Sequence, residues 1–294
     1  MLYRRKILLA LVENSGKKLS RTDFQKLLFL FCKVANRDYY DFFPYHYGSF
    51  SFLANQDSNI LTSTGYLADK DNVELRNNIS FLNHLNKRDQ IALNTFSLQY
   101  RQLRGKSLLR FIYLNYPQYT SKSKILKNVL TDKEIKEIKN WWNSDFSPRL
   151  FTLGYEGISI DSYLNKLVLN NIKLVIDVRK NPISMKFGFS KTRLKNYLDS
   201  LAIKYIHLPE LGIPSKLRKD LETAESYKKL FVYYSNEILP KQLDAIDRLK
   251  NYVQEYGRVA LTCFEKEHYN CHRSRITEYL AKQSDKINYK ITHI

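Results

Sequence analysis

Cysteine, glycine, proline and acidic residues are all scarce in this chain. Three cysteines in 294 residues cannot build the disulfide framework that holds small secreted domains together. Nine glycines and seven prolines exclude collagen-like repeats and linker-dominated chains. No apolar run approaches the roughly 18 residues needed to span a bilayer as a helix, so no membrane partner is expected. Residues 1–12 pair a basic start with an apolar stretch, as a signal peptide does. Glu13 closes that stretch early and no small-residue cleavage site follows, so the segment reads as a helix of a cytoplasmic protein.

The shortage of acid is the loudest of these features. Lys plus Arg number 48 against 29 acids, a net charge of +19, and such a chain is drawn to polyanions, of which nucleic acid is the commonest in a cytoplasm. Residues 1–150 hold 24 basic and 13 acidic residues, and the remainder 24 and 16, so both halves share the excess. From Gln90 to Thr131 there is no acid at all. Arg101, Arg104, Lys106, Arg110, Lys122, Lys124 and Lys127 accumulate there between aromatic residues, and these seven are the candidate nucleic-acid contacts. A solvated basic face over an aromatic core is the plainer account of the same tract.

What is abundant is apolar: 44% of residues are hydrophobic, enough for packed cores, and the length suits two domains. Helical periodicity dominates up to about residue 145. After residue 149 short apolar runs alternate with amphipathic helices. In the first region, 3–14 reads as a helix. Ser20 is placed to cap a second helix that carries Phe24, Leu27, Leu28 and Phe31. An aromatic turn at 45–50 leads to a third helix over 51–62, followed by strand, polar turn and strand from Gly65 to Leu75. Three helices and then a β-ribbon is the order of a winged helix, which also serves as a dimerisation module, so a homodimer through this region is one expectation. The third helix offers Asn55, Gln56, Asp57, Ser58 and Asn59 but no cation. Cys32, beside Phe31, reads as core.

The second region reads as strands at 149–154, 173–178, 204–208, 259–263 and 290–293 with helices between them. That order gives an α/β domain whose mostly parallel sheet is covered by helices on both faces. Ligands of such sheets bind outside the carboxyl ends of the strands, and the residues there are ionisable: Tyr155 and Glu156, Asp177 and Arg179, Glu210, then Cys263, Glu265, Cys271, His272 and Arg273. One rim with so many ionisable groups points to an anionic-substrate pocket. Glu156, Asp177, Cys263, Glu265 and His272 are the candidate catalytic groups. Tyr155, Arg179, Glu210, Cys271 and Arg273 are the candidate binding groups, with Arg179 and Arg273 gripping phosphate. The densest segment, C-x-E-x5-C-H-R, contains zinc-ligand residue types without the paired C-x2-C or H-x3-H spacing of structural zinc sites. No metal ligand is assigned from it, and no cofactor is identified. Helix-start anion binding and a thiolate at Cys263 remain alternatives.

The motifs Thr152-Leu-Gly-Tyr-Glu-Gly, Ile176-Asp-Val-Arg-Lys-Asn-Pro, Gly188-Phe-Ser-Lys, His207-Leu-Pro-Glu-Leu-Gly and Cys263-x-Glu-x5-Cys-His-Arg resemble, in order, the domain of unknown function 488 family. The resemblance covers about residues 150–294. It implies the same α/β sheet and marks the strand-end residues as characteristic positions, but it supplies no reaction. A strand-end cysteine together with Asp177-Val178-Arg179 is also similar in layout to rhodanese-type sulfurtransferases. The first region resembles helical modules of toxin–antitoxin and phage-defence systems at Phe24-Gln-Lys-Leu-Leu-Phe and Tyr45-His-Tyr-Gly, with Phe24 where leucine is usual. Three functions follow as expectations: an enzyme acting on nucleic acid or nucleotides, a DNA-binding regulator that senses a small anion, and a cysteine-dependent transferase.

Overall fold

The computed structural model describes residues 1–68, 71–76, 79–218, 223–283 and 289–294. The chain divides into two compact units, Met1–Trp142 and Asn143–Ile294.

The first unit begins with α1 (Tyr3–Asn14), β1 (Lys18–Ser20), α2 (Arg21–Val34), the hairpin β2 (Phe43–Tyr45) and β3 (Gly48–Phe50), α3 (Phe52–Ser63), β4 (Leu67–Ala68) and β5 (Asn72–Leu75). It continues with α4 (Lys87–Tyr100), α5 (Gly105–Asn115), α6 (Leu126–Val129) and α7 (Asp132–Lys139). The caps follow the sequence. The Ser20 hydroxyl accepts from the Asp23 amide at 3.0 Å, and Ser51 does the same for Ala54 at 3.1 Å, satisfying helix-start N–H groups. Residues 69–70, the expected polar turn, lie outside the described residues. β5 lies between β1 and β4, antiparallel to both. The β1 strand was not anticipated, because three residues between two helices carry too little period-2 signal. The expected aromatic turn is a β-hairpin, its two-residue connection, His46-Tyr47, followed by Gly48 at φ +85°.

Two side chains of α2 hold that hairpin. Gln25 bonds both backbone groups of Ser51, and the Lys26 ammonium donates to the Ser49 carbonyl at 2.5 Å. Lys26 is 2% exposed. Burial lowers its pKa to about 7. Cys32 lies in the core, where burial pushes its thiol up to about 12. On α3 the polar row from Asn55 to Asn59 is partly internal. Asp57 is buried and holds Arg4, Arg5 and the Tyr40 hydroxyl, and Ser58 is buried as well. Only Asn55, Gln56 and Asn59 of that row keep some exposure.

The second unit runs β6 (Arg149–Gly154), α8 (Ile160–Leu169), β7 (Leu174–Asp177), α9 (Lys191–Ser200), β8 (Lys204–His207), α10 (Ala224–Tyr233), α11 (Leu243–Tyr256), β9 (Arg258–Cys263), α12 (His272–Gln283) and β10 (Lys290–His293). All five strands are parallel, in the order β10-β6-β9-β7-β8. Strand alternation sorts the core. Leu150, Leu174, Ile176, Val259, Leu261 and Cys263 pack with apolar residues of α10, α11 and α12. The intervening Phe151, Val175 and Ala260 are buried outside that cluster, as are Tyr163 and Leu164 of α8 and Leu194 and Leu198 of α9. The sequence pattern reads as one helix from residue 237 to 256, but α11 starts only at Leu243, after a 3-10 turn at Leu239–Lys241 in which Pro240 has no N–H to donate.

Candidate functional site

The parallel strands end together, and what they carry there separates into two clusters on the two faces of the sheet. On the α8–α9 face, Asp177 is fully buried and Arg179 is 5% exposed. The guanidinium grips the carboxylate in bidentate fashion, Nε to Oδ1 at 2.8 Å and Nη2 to Oδ2 at 2.5 Å. Its Nη1 donates to the Tyr155 hydroxyl and to the Phe189 carbonyl. Tyr205 donates to Asp177 Oδ2 at 2.7 Å, and the Tyr155 ring stacks on Phe189 at 4.2 Å. Burial alone would lower the Arg179 pKa, but the hydrogen bonds and charge of Asp177 outweigh it and hold the guanidinium charged. Burial, then the Asp177 charge, pushes Tyr205 above the ordinary phenol range. Arg179 was expected to grip an anionic substrate; in the structure its guanidinium is engaged by Asp177, Tyr155 and Phe189.

The opposite face carries the second cluster. Cys263 ends β9 and Cys271 and His272 open α12, all three at most 1% exposed. Glu265, half-buried in the loop between them, accepts from Cys263 Sγ at 2.8 Å and from Cys271 Sγ at 3.0 Å through the same oxygen, Oε2. His272 Nδ1 lies 3.6 Å from Cys263 Sγ and 3.8 Å from Cys271 Sγ. The other ring nitrogen, Nε2, is 3.0 Å from the Val178 carbonyl. A carbonyl can only accept, so Nε2 carries a proton, and Nδ1 is the ring atom turned toward the sulfurs. Burial raises the Cys263 thiol, yet the Cys271 hydrogen bond and then the His272 charge bring it below its ordinary value. Cys271, deprived of that help, is pushed well above it by burial.

The ligand atoms of Cys263, Glu265, Cys271 and His272 all lie within 4.8 Å of one another. Structural zinc sites are legible in a sequence when their ligands come as paired local motifs. Here the four donors come from a strand end, a loop and a helix start, so they meet without such pairs.

Arg273 is 1% exposed, and its guanidinium is turned to the loop that carries Glu265. Nη1 donates to the Glu265 carbonyl and Nη2 to the Lys266 carbonyl at 2.8 Å, which fixes the loop carrying Glu265. Gly154 permits this crossing: a Cβ there would sit 1.8 Å from the Glu265 carbonyl oxygen and 2.9 Å from Arg273 Nη1. Glu156 is exposed and accepts from the Lys266 amide at 2.9 Å, so it too braces this loop. Glu210 lies apart, beyond the edge strand β8, paired with Arg248 of α11 at 2.8 Å. The strand ends thus bring Cys263, Glu265, Cys271 and His272 together, with Glu156 and Arg273 behind their loop; Tyr155, Asp177 and Arg179 form the separate cluster.

In the first unit the basic tract is uneven. Arg101, Lys106, Lys124 and Lys127 are exposed and Lys122 is half-buried. Arg110 is engaged with Glu134, and Arg104 donates to the carbonyls of Leu103 and Ser15. Sequence reading missed Lys26, although a cation inside the apolar run from Phe24 to Phe31 was a visible signal for a buried amine.

Residues 159–280 match the family model described as Domain of unknown function DUF488. The match takes in Asp177 through Arg273 and begins after Tyr155 and Glu156. No curated protein and no solved structure matches the chain.

Proposed function

Because residues 159–280 form a domain of the DUF488 family, whose description assigns no reaction, we propose from the site itself that this protein is a nucleic-acid-associated enzyme. In this reading its reaction centre is the cluster of Cys263, Glu265, Cys271 and His272. One observation carries the reading: a chain of net charge +19 directs two thiols, an imidazole and a carboxylate to one point at the carboxyl ends of parallel strands, where such folds place their ligands. The sheet, and the guanidinium of Arg273 on the loop carbonyls, hold these groups in place; Glu265 is the member that solvent and substrate reach. The paired Asp177 and Arg179 then act as a brace for the strand ends rather than as substrate contacts.

The first unit supplies the polyanion contact in this reading. Its order of α1, β1, α2, α3 and then β4–β5, closed by an antiparallel β1-β5-β4 sheet, supports a winged helix, a module that also pairs with a second copy of itself. The exposed cations of its basic tract, Arg101, Lys106, Lys124 and Lys127, lie off α3, which favours backbone docking over base reading. Three free, buried cysteines suit a reducing cytoplasm, and the likeness of the first unit to toxin–antitoxin and phage-defence modules suggests that setting. A cysteine-dependent transferase is the second reading, favoured by the lowered Cys263 thiol; its 1% exposure counts against attack on an incoming substrate.

The test has two parts. Binding of labelled single- and double-stranded DNA and RNA is titrated against salt. With Arg101, Lys106, Lys124 and Lys127 as the phosphate contacts, log affinity for duplex DNA should fall with a slope of about −4 in log salt, and reversing those four charges should abolish binding. Mass spectrometry of the nucleic acid after incubation then reads any covalent change, which Glu265→Ala should suppress. Binding that ignores both salt and the four reversals would end the reading, and so would nucleic acid returned unchanged.

A further inference from the structure

The cluster at the strand ends has the composition of a metal centre, and its distances can be compared with what a metal requires. Tetrahedral zinc holds sulfur at about 2.3 Å and imidazole nitrogen at about 2.0–2.1 Å. Those bond lengths place a sulfur and a nitrogen on one ion about 3.6 Å apart. The two Sγ to Nδ1 distances here are 3.6 and 3.8 Å, so the imidazole already stands where such an ion would need it. The carboxylate oxygen is closer to each sulfur, 2.8 and 3.0 Å, because it accepts two S–H protons that an ion would replace.

We propose that Cys263, Cys271, His272 and Glu265 bind one divalent transition ion of the zinc class, with the first three as fixed ligands and Glu265 as the exchangeable fourth. Two thiolates and an imidazole favour zinc over the hard cations magnesium and calcium, which take oxygen ligands. Val178 provides the outer partner that metal-bound histidines characteristically have, its carbonyl accepting from Nε2 and leaving Nδ1 as the donor. The alternative, a cluster of ordinary buried side chains, explains one cysteine as a small apolar residue. It does not explain why two thiols share one carboxylate oxygen beside an imidazole nitrogen.

The charges balance as well. Two thiolates and a carboxylate around a divalent ion leave one negative charge, and Arg273 lies at the same loop with its guanidinium on the Glu265 and Lys266 carbonyls. Binding releases the two thiol protons to solvent and involves no change of oxidation state. Three ligands are at most 1% exposed while Glu265 is half-buried. That is the asymmetry of a centre in which an outside oxygen can replace one ligand, not of a closed structural site. The ion site is independent of whether the protein acts on nucleic acid.

The experiment uses the full chain, stripped with a chelator under reducing conditions and checked for fold by circular dichroism. Cobalt(II) is then added as a spectroscopic substitute, and zinc is added in competition. The expected result is one equivalent of cobalt per chain, with thiolate-to-metal charge-transfer absorption and intense tetrahedral d–d bands, displaced by zinc. Cys271→Ser should remove about half of the charge-transfer intensity or all binding. Glu265→Gln changes a half-buried side chain and should still fold. It should shift the d–d bands and weaken zinc by about tenfold or more, the scale on which even the outer partners of metal ligands act. A folded, stripped protein that takes up no cobalt overturns the proposal. Uptake that leaves the spectrum and affinity unchanged in both variants overturns it equally.

Discussion

Replacing Arg273 with alanine distinguishes a side chain that holds the fold from one that holds a ligand. In the structure its guanidinium makes two charge-assisted hydrogen bonds to carbonyls, those of Glu265 and Lys266. Hydrogen bonds to charged groups contribute about 1.5–3 kcal/mol each. Glu265 is half-buried and Lys266 exposed, so water can partly replace the lost donors, which sets the loss at about 2–4 kcal/mol in all. For a unit of the size of Asn143–Ile294, a loss of that size lowers Tm by about 5–15 °C. Differential scanning calorimetry reads it directly. Hydrogen exchange over residues 264–270 should rise along with it, because the loop loses its anchor. Arg273→Lys keeps the charge but not the planar fork and should recover less than half of the loss. A variant that melts within about 1 °C of the wild type with unchanged exchange would refute the reasoning. It would return Arg273 to the role of an anion contact at a helix start, which its sequence position had suggested.

Removing Arg179 should cost more, since Arg179→Met leaves the fully buried Asp177 carboxylate with Tyr205 but without its cation. The expected loss is about 3–5 kcal/mol, read as a shift in urea midpoint, and Asp177→Asn in the same background should restore part of it. The buried amine of Lys26 gives the first unit a pH dependence. Its folded pKa is lowered by burial to about 7, while an unfolded lysine titrates near pH ~10.4. Below about pH 7 the amine is charged in both states and its burial penalty is full; as pH rises from about 7 to 10 the unfolded chain binds more protons and stability increases. Lys26→Met removes that rise, so the stability of wild type relative to the variant should grow by several kcal/mol across the window. Denaturation curves whose separation stays constant from pH 6 to about pH 10 would exclude a buried charge penalty at Lys26.

The alternation of apolar runs with amphipathic helices specified the α/β unit closely except at the start of α11, since its elements have a strong local period. The serine cap at Ser20 was equally legible, because capping is a contact between residues three apart. Short elements were not. β1, with three residues, and the β2–β3 hairpin gain their hydrogen bonds from distant partners or from a tight local turn, and they leave little periodic trace.

For the site, composition and order alone placed Asp177, Arg179, Cys263, Glu265, Cys271, His272 and Arg273 at strand ends. What the sequence could not decide was the side of the sheet on which each would lie and the partner each would meet. Asp177 points to one face and Val178 to the other, so a single residue of register separates the Asp177–Arg179 pair from the carbonyl that orients His272. Arg273 was legible as a cation at a helix start but not as a clamp on two carbonyls, since those carbonyls reach it only where the loop crosses Gly154. The meeting of two sulfurs, an imidazole and a carboxylate within 4.8 Å likewise belongs to the tertiary structure. No local spacing encodes it, because the ligands arrive from a strand end, a loop and a helix start that only sheet packing brings together.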